Sequence, residues 1–405
     1  MGENGAPDTR GRWHPARETR ERTNLSDEQR LRIEALEAIG YLAGTVAAGS
    51  GQGVAFHDRA QSGVGFNFYT SGHGPDAVLM DMDGRELHRW HLPAEEAWPG
   101  GKLTPAQRRR GNFWRRAHLF ENGDVLALFA GRGIIKIDKD SKLLWARRLE
   151  VHHDLAVAPN GDIYVLTRWA HLVPRVHPTK PIFEDFVVIL DSEGAVKNRV
   201  SILECFENSD PGRTWLAGGE RSGDLFHTNT VTLLDGRLAD AIPAFAKGNV
   251  LTAMRAIDTI AVLDLEQKKL VWVHRGSFRK QHDPQILDNR HLLLFDNRGT
   301  PGKSAILEFD PITGQSVWEY RGSLESPFFS KTCGATERLS NGNTLVIESD
   351  RGRAFEVTPA SEIVWEFLNP HRAGDEDEFI ATLFDLTRLP ASFPIDWAQG
   401  APAPE

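Results

Sequence analysis

Most of the chain, from about residue 54 onward, consists of short apolar runs rich in β-branched and aromatic residues, separated by turn residues. An Asn-Gly or Gly-Asn pair begins several of these runs, at 122–128, 160–166, 248–252 and 341–346. An Asn-Gly turn reverses the chain tightly enough to connect neighbouring antiparallel strands. The pattern therefore predicts many short antiparallel strands and an all-β fold.

A second signature is a turn, usually begun by aspartate, that is followed by a strand carrying tryptophan. Its copies begin near residues 81, 138, 191, 264, 310 and 358, and among these the copy at 191 lacks the tryptophan. A repeat of this length favours a propeller with radial blades over a sandwich. We therefore predict a six-bladed β-propeller, in which each tryptophan buries its flat surface between neighbouring blades.

Composition and periodicity change along the chain and divide it into three predicted parts. These are an N-terminal arm at 1–52, the propeller at 53–390 and a C-terminal tail at 391–405. The polar, arginine-rich segment up to about residue 24 is typical of a disordered or loosely draped arm. Ser26 and Gln29 fit a capping box, so we expect one short helix to begin there and to pack on the main body.

Three stretches do not fit the regular blade repeat. The apolar run at 380–386 has no blade of its own, and we expect it to pair within the first blade and close the ring, which removes exposed sheet edges. Residues 169–184 and 206–224 are longer than a blade connection requires. Such excursions from the blade faces usually shape the mouth of a pocket.

Charge and cysteine content exclude several classes of function. The net charge of −9 argues against a general nucleic-acid-binding protein, because neutralising phosphates requires clustered Lys and Arg. Two cysteines, Cys205 and Cys333, are too few for a disulfide scaffold. No apolar run is long enough to span a bilayer, and the N-terminus lacks the pattern of a secretory signal. We expect a soluble protein, periplasmic or cytoplasmic, that can form a homodimer.

Three histidines occupy the same position in different repeats. His153, His227 and His282 each stand shortly before an Asn-Gly-like turn and an apolar run. A residue that recurs at one position of a repeat recurs in space, so we expect the three side chains to converge on the central channel of the propeller. His152 is adjacent to His153, but a shift of one residue turns a strand side chain to the opposite face.

Two arginines extend this candidate site. Arg115, or its neighbour Arg116, enters the innermost strand of another repeat and would face the same channel. The Cys333-Gly334 region holds the equivalent position in a later repeat. Arg255 lies in a predicted strand with apolar neighbours, where an isolated guanidinium is costly unless it holds an anion. The alternative for Arg255 is a buried salt bridge.

The motifs that contain these residues occur in an order that resembles the bacterial arylsulfotransferase family. They are His-His-Asp at 152–154, His-Thr-Asn at 227–229, Gly-Asn-Val-Leu-Thr-Ala-Met-Arg at 248–255, Gln-His-Asp at 281–283 and Phe-Asp-Asn at 295–297. Also similar are Trp-Glu-Tyr at 318–320, Asn-Gly-Asn at 341–343 and Trp-Glu-Phe at 365–367. The resemblance spans about residues 65–370 and is specific because several motifs fall in one order.

The resemblance implies a six-bladed propeller that transfers a sulfuryl group from an aryl sulfate to a phenol through a sulfated histidine, with no nucleotide sulfate donor and no metal or other cofactor. It assigns four catalytic residues, namely His282 as nucleophile, His153 and His227 as flanking histidines and Arg255 as sulfate-binding arginine. The candidate substrate-binding residues are Asn229, His152 and Arg115. The expected partners are therefore small molecules, an aryl sulfate and a phenol.

Two other interpretations of the three histidines stay open. His153, His227 and His282 suit three ligands of one Zn²⁺ or other divalent ion with an open position for water, as in a metal-dependent lyase or hydrolase. Asp154 and Asp283 would then orient the ligands. In the second interpretation the channel is closed and the blade rims bind partner proteins, which makes the protein a non-catalytic scaffold.

Overall fold

The structure, a computed structural model, describes residues 25–37, 42–100 and 112–398. The arm expected at 1–24 lies outside these residues. Helix α1, Asp27–Glu37, begins at the predicted capping box. The amide of Ser26 donates to Gln29 Oε1 at 2.9 Å, and the amide of Gln29 donates to Ser26 Oγ at 3.2 Å. These reciprocal bonds satisfy two amides that the first helical turn leaves without partners.

Most of the remaining regular structure is antiparallel β-sheet, which confirms the predicted all-β class. Six sheets follow one another along the chain. Sheets one to three contain Phe66–Ser71, Asp76–Met80 and Glu86–His91; Arg116–Leu119, Val125–Phe129, Gly133–Ile137 and Leu143–Arg147; and Val151–Val157, Ile163–His171, Ile182–Leu190 and Val196–Ser201. Sheets four to six contain Thr232–Leu233, Val250–Met254, Thr259–Asp264 and Lys269–His274; His282–Ile286, Leu292–Thr300, Lys303–Phe309 and Ser316–Tyr320; and Ala335–Arg338, Thr344–Glu348, Arg353–Val357 and Ile363–Leu368.

Smaller elements lie between and beside these sheets. The α-helices are α2, Ala94–Ala97; α3, Ile202–Glu207; and α4, Asp210–Leu216. The 3₁₀ helices are Pro243–Phe245, Arg255–Ile257, Ser349–Arg351 and Asp396–Ala398. A three-stranded sheet combines Val46–Ala47, Arg372–Ala373 and Phe379–Ile380, and Gly53–His57 joins the outer edge of sheet six. No described helix is long and apolar enough to cross a bilayer.

The C-terminal strand completes sheet one. It runs from Leu383 to Leu389 and pairs antiparallel with Phe66–Ser71, so that Thr387 lies opposite Phe68. The predicted bounds of 380–386 were wrong by three residues. The reason is that Phe379–Ile380 pairs with two other short strands, and the chain turns before it enters sheet one.

Local sequence explains where the strands turn. Gly123 and Gly161, each the second residue of an Asn-Gly turn, have φ of 86° and 85°, a region that suits glycine and strains other residues. In the aspartate-led turns the carboxylate accepts an amide from within the turn, as Asp138 does from Asp140 at 2.9 Å. The two sequence signatures therefore fix the two ends of the strand pairs.

Tryptophan side chains connect consecutive sheets through the indole N–H. Four of them donate to a backbone carbonyl in a turn of the next sheet. Trp90 donates to Gly123 and Trp145 to Ser192, both at 3.0 Å. Trp318 donates to Pro359 and Trp365 to Met82, both at 2.9 Å. The contact made by Trp365 joins sheet six to sheet one. Each of these side chains thus buries an aromatic surface against the neighbouring sheet and satisfies its one polar group there.

We predict that Trp365→Phe lowers the free energy of unfolding by about 1–3 kcal/mol, because the change removes a hydrogen bond and leaves a small cavity in a fully buried position. Trp318→Phe is the matched control, since its indole makes the same kind of bond in a more exposed position. Urea denaturation of the two variants measures the difference. Equal losses in both variants would contradict a special contribution of the contact between sheets six and one.

Both excursions fold onto sheet three. In the first excursion, residues 169–171 and 182–184 extend the strands Ile163–His171 and Ile182–Leu190, which pair over their whole length, and residues 172–181 form the connection between them. The excursion at 206–224 contains helix α4 and ends in the short strand Gly223–Asp224, which pairs parallel with Ile182 and Phe183. This arrangement fixes Asp224 beside the strands that enter the candidate site.

Candidate active site

The sequence-predicted histidines lie where the first strands of the sheets begin. His152 and His153 are in Val151–Val157, the first strand of sheet three, and His282 begins the first strand of sheet five. His227 precedes sheet four. His153 and His227 have φ of 53° and 49°, an uncommon region for residues other than glycine. Such backbone strain persists only where the surroundings determine the conformation, as they do in ligand-binding sites.

Three imidazole rings are in direct contact. His152 Nδ1 and His153 Nδ1 share a hydrogen bond at 2.7 Å, and the rings of His153 and His227 meet edge to face at 4.8 Å. His152 and His153 are almost completely buried. Burial is the main cause that lowers the pKa of both rings well below the usual value for histidine, so both are neutral at pH 7.

His282 has a defined tautomer. Its Nδ1 lies 2.7 Å from Asn297 Oδ1, and Asn297 Nδ2 donates to the carbonyls of Ser330 and Cys333 at 2.9 and 2.6 Å. Because the amide nitrogen of Asn297 is occupied as a donor, its oxygen must accept, and His282 Nδ1 carries the proton. His282 Nε2 is therefore left with a lone pair.

The His282 ring is also neutral. Burial, together with the positive charge of Arg255, lowers its pKa to about 3, although the hydrogen bond that its Nδ1 donates to Asn297 opposes this. His227 and Arg115 act in the same direction, which places both groups within electrostatic range of His282. A neutral imidazole with an unprotonated Nε2 is a nucleophile at physiological pH.

His227 is held by a carboxylate. Its Nδ1 lies 2.5 Å from Asp224 Oδ2. Burial lowers the pKa of His227, although the bond to Asp224 opposes this. An ionised carboxylate can only accept, so in this arrangement Nδ1 carries the proton and Nε2 is exposed to the site. The pair has the arrangement of a histidine oriented by an acid, which is suited to proton transfer.

Arg255 does not lie in a strand as predicted. The strand Val250–Met254 ends one residue earlier, and Arg255 begins a 3₁₀ helix in which its amide donates to the carbonyl of His227 at 3.2 Å. Among the described residues, no carboxylate forms an ion pair with its guanidinium, so the alternative of a buried salt bridge finds no partner there. The charge of Arg255 instead acts on His227 and His282, whose pKa values it lowers.

The other predicted residues surround the histidines. Arg115 is buried; its Nη2 lies 3.8 Å from Cys333 Sγ and its guanidinium lies over the Phe384 ring at 5.0 Å. Asn229 Nδ2 donates to the carbonyl of Gln281 at 2.9 Å, and this bond ties the segment of His227 to that of His282. The roles of Arg115, His152 and Asn229 in substrate binding stay a prediction.

Sequence reasoning missed four residues that shape the site. These are Asn297, Asp224, Asp185 and Arg168. Asn297 could have been found, because it belongs to the Phe-Asp-Asn motif in the strand that pairs with His282. Arg168 lies 3.8 Å from Asp224 Oδ2, and its guanidinium stacks over Phe183 at 4.2 Å.

The arrangement of the side chains bears on the metal interpretation. Within residues 25–37, 42–100 and 112–398, no group of three or more His, Cys, Asp or Glu side chains is arranged to hold a metal ion. His227 and His282 each use Nδ1 for a hydrogen bond to another side chain, and His152 and His153 use Nδ1 for each other. The Nε2 atoms of His227 and His282 are the ring nitrogens that can meet a ligand.

Fold and site together define a class. It is an all-β protein in which arginines and a cluster of neutral histidines lie where the sheets begin. The sequence profile of the family described as Arylsulfotransferase (ASST) matches residues 116–370, and the chain belongs to this family. The match contains every candidate catalytic residue. No curated protein matches the chain.

The solved structures that match this chain share little sequence with it. A protein of unknown function from Bacteroides caccae is 14% identical, with a TM-score of 0.51 over 80% of this chain and 98% of that one. A streptogramin B lyase is 12% identical, with a TM-score of 0.45 over 84% and 93% of the two chains. The Cps50 (Swd1) β-propeller domain from Myceliophteria thermophila is 10% identical, with a TM-score of 0.44 over 81% and 90%. The first of these shows a similarity of fold alone.

Proposed function

We propose that the protein is an aryl-sulfate sulfotransferase that moves a sulfuryl group from an aryl sulfate to a phenol, with His282 as the residue that carries the group. Membership of the arylsulfotransferase family supports the reaction class. The observation that carries the assignment of His282 is its hydrogen bond to Asn297, which leaves Nε2 with a lone pair on a neutral ring. A neutral imidazole is the form that attacks sulfur.

In the first half-reaction, His282 Nε2 forms a bond to the donor sulfur, and the bond between sulfur and the aryl oxygen breaks with its electron pair on that oxygen. The sulfated ring keeps the Nδ1 proton that it donates to Asn297. Sulfuryl transfer, like phosphoryl transfer, depends mainly on positioning and on stabilising charge at the peripheral oxygens. The guanidinium groups of Arg255 and Arg115 are the candidate cations for those oxygens. Removal of one such contact costs about 2.7–4 kcal/mol of barrier.

In the second half-reaction, the oxygen of the acceptor phenol attacks the sulfur and the bond to His282 Nε2 breaks. The electron pair of that bond returns to Nε2, which restores the resting imidazole. The phenol proton passes to His153 or His227, whose rings lie side by side. Because donor product leaves before the acceptor reacts, the proposal requires ping-pong kinetics.

We further propose that the six sheets are blades of one closed propeller. Two contacts support closure of the ring: the antiparallel pairing of Leu383–Leu389 with Phe66–Ser71, and the hydrogen bond from Trp365 to Met82. In that arrangement the first strand of each sheet lines a central channel. Histidines from sheets three and five and from the segment before sheet four then face one space.

The test is to trap the intermediate. Wild-type protein is mixed with a 4-nitrophenyl sulfate and no acceptor, quenched above neutral pH, and analysed by intact mass and peptide mapping. We expect one sulfuryl group per chain, located on His282, together with one equivalent of released nitrophenol. The absence of both adduct and transfer across a panel of aryl sulfates would reject the proposal. Loss of activity on chelation, with recovery on adding Zn²⁺, would favour the metal-dependent alternative.

A further inference from the structure

A second carboxyl group lies behind the pair formed by His227 and Asp224. Asp185 is 1% exposed, in the strand that also contacts the segment of Asp224. Its Oδ2 accepts the amide of Thr228, the residue after His227, at 2.9 Å. The backbone around His227 is therefore bound to one carboxyl and its ring to another.

Several buried polar atoms near these carboxyls have no protein partner among the described residues. They are Asp185 Oδ1, Asp224 Oδ1, His152 Nε2 and Thr228 Oγ1. His152 Nε2 and Asp185 Oδ1 are 3.8 Å apart, which is too long for a hydrogen bond. Buried polar atoms without partners are destabilising, and in native proteins they often mark sites with a catalytic role. This arrangement leaves acceptor capacity on both carboxyls directly behind a histidine of the candidate site.

The two carboxyls do not ionise independently. Burial, together with the negative charge of Asp224, raises the pKa of Asp185 to about 7. The backbone amide of Thr228 and the charge of Arg168 act against this rise. Burial also acts to raise the pKa of Asp224, but the hydrogen bond from His227 outweighs it and the pKa is lowered. Two adjacent carboxyls of this kind hold one proton between them near neutral pH.

We propose that Asp224 and Asp185 store the proton that His227 exchanges with the phenol oxygen in each half-reaction. This inference rests on the proposed sulfotransferase function and adds to it a proton path. His227 is the catalytic residue in this scheme, because its Nε2 meets the substrate oxygen. Asp224 and Asp185 act through His227 and are positioning residues. The proposal also assigns the role of general acid and base to His227 and not to His153.

The protons balance over the two half-reactions. At the start of the first half-reaction the carboxyl pair holds one proton, placed on Asp224 against His227 Nδ1, and His227 holds one at Nε2. This is the tautomer opposite to the one that an ionised Asp224 fixes. When the donor bond breaks, the Nε2 proton passes to the aryl oxygen, and the proton of the carboxyl pair moves to Nδ1. The sulfated enzyme then has one proton on His227 Nδ1, donated to the ionised Asp224, and none on the pair. The acceptor phenol returns one proton along the same path.

The test compares leaving groups of different basicity in the first half-reaction. Release of phenol from phenyl sulfate needs a proton, because this phenol has a pKa near that of tyrosine, about 10. Release from 4-nitrophenyl sulfate needs much less help, because nitrophenol is far more acidic. We expect Asp185→Asn and Asp224→Asn to slow single-turnover release from phenyl sulfate by about 10²–10³-fold, within the usual range for general acid catalysis. Release from the nitrophenyl ester should slow less than tenfold, as an order-of-magnitude bound.

A matched control is Asp76→Asn, which removes another buried carboxyl that accepts a hydrogen bond from a histidine, His91, in sheet one. This control should leave both rates unchanged. A second readout does not need turnover: the infrared difference between wild type and Asp185→Asn at pH 6 should contain the band of one protonated carboxyl.

The outcomes separate the two proposals. If the aspartate variants release phenol from both esters at equally reduced rates, or at the wild-type rates, the proton store is overturned. Turnover by the wild-type protein would still support the proposed function. Absence of the carboxyl band also overturns the proton store. If wild-type protein releases phenol from neither ester, the sulfotransferase function fails, and the proton path fails with it.

Discussion

Replacing His282 with asparagine is expected to lower kcat/KM for transfer from an aryl sulfate to a phenol by at least about 10⁴-fold, the scale seen when a covalent nucleophile is removed. Asparagine keeps a donor near the position of Nδ1, so the hydrogen bond to Asn297 and the local backbone are preserved. What the variant lacks is the lone pair of Nε2. Initial rates of nitrophenol release with a phenolic acceptor measure the effect.

The control for this variant is His291→Asn in the same sheet. His291 Nδ1 lies 2.8 Å from Glu308 Oε1, away from the histidine cluster, and the ring is partly exposed. Its replacement should leave the rate within about twofold, as is usual for a change remote from an active site. If His282→Asn retained more than a hundredth of the wild-type rate, His282 would not be the nucleophile, and a second histidine would have to carry the sulfuryl group.

The repeat pattern was informative about the site because it concerns backbone position. His153 and His227 hold the same place in successive repeats, and the structure brings their rings into contact. Both also share a left-handed backbone conformation, which is uncommon for residues other than glycine although histidine adopts it more often than most. The sequence indicated where the side chains start, and the fold determined which nitrogen each one presents.

Other positions in the site could not be found in this way. Asp224 reaches His227 at the end of a long excursion, and its position depends on a two-residue parallel pairing with sheet three. Asp185 follows Glu184 in a strand that is otherwise apolar. Arg255 was placed in a strand because its neighbours are apolar, yet the strand ends at Met254 and the chain begins a 3₁₀ turn. Tertiary pairing, which local sequence does not encode, decided all three positions.

Replacing Arg116 with methionine is expected to give the largest loss of stability, about 3 kcal/mol, because breaking a buried ion pair leaves uncompensated charge. Arg116 Nη1 lies 2.6 Å from Asp385 Oδ1, and its Nε lies 3.0 Å from Asp154 Oδ1. Both carboxyls are buried. Asp385 is in the C-terminal strand of sheet one and Asp154 in sheet three, so a single guanidinium in sheet two joins three sheets.

The loss should depend on pH. Burial raises the pKa of Asp385 even with Arg116 present, and the pKa of Asp283 nearby is raised to about 6, also by burial against the charge of Arg116. A carboxyl with a raised folded pKa stabilises the fold below its unfolded pKa, about 4, and loses this contribution as pH rises through the folded value. Without Arg116 both pKa values rise further. The loss in free energy of unfolding of Arg116→Met, relative to wild type, should therefore be small at pH 5 and reach its full size at pH 8.

Urea denaturation at pH 5 and pH 8 measures this difference, with Arg338→Met as the matched control. Arg338 Nη2 lies 2.6 Å from Glu308 Oε2, another buried carboxylate, but Glu308 also accepts from Asn289 and pairs with His291, so it is not left without partners. The control should lose less stability and show little difference between the two pH values. If Arg116→Met lowered the free energy of unfolding equally at both pH values, the Arg116 side chain would stabilise the fold by packing. The reason is that protonation removes only the contribution of the carboxylate charges.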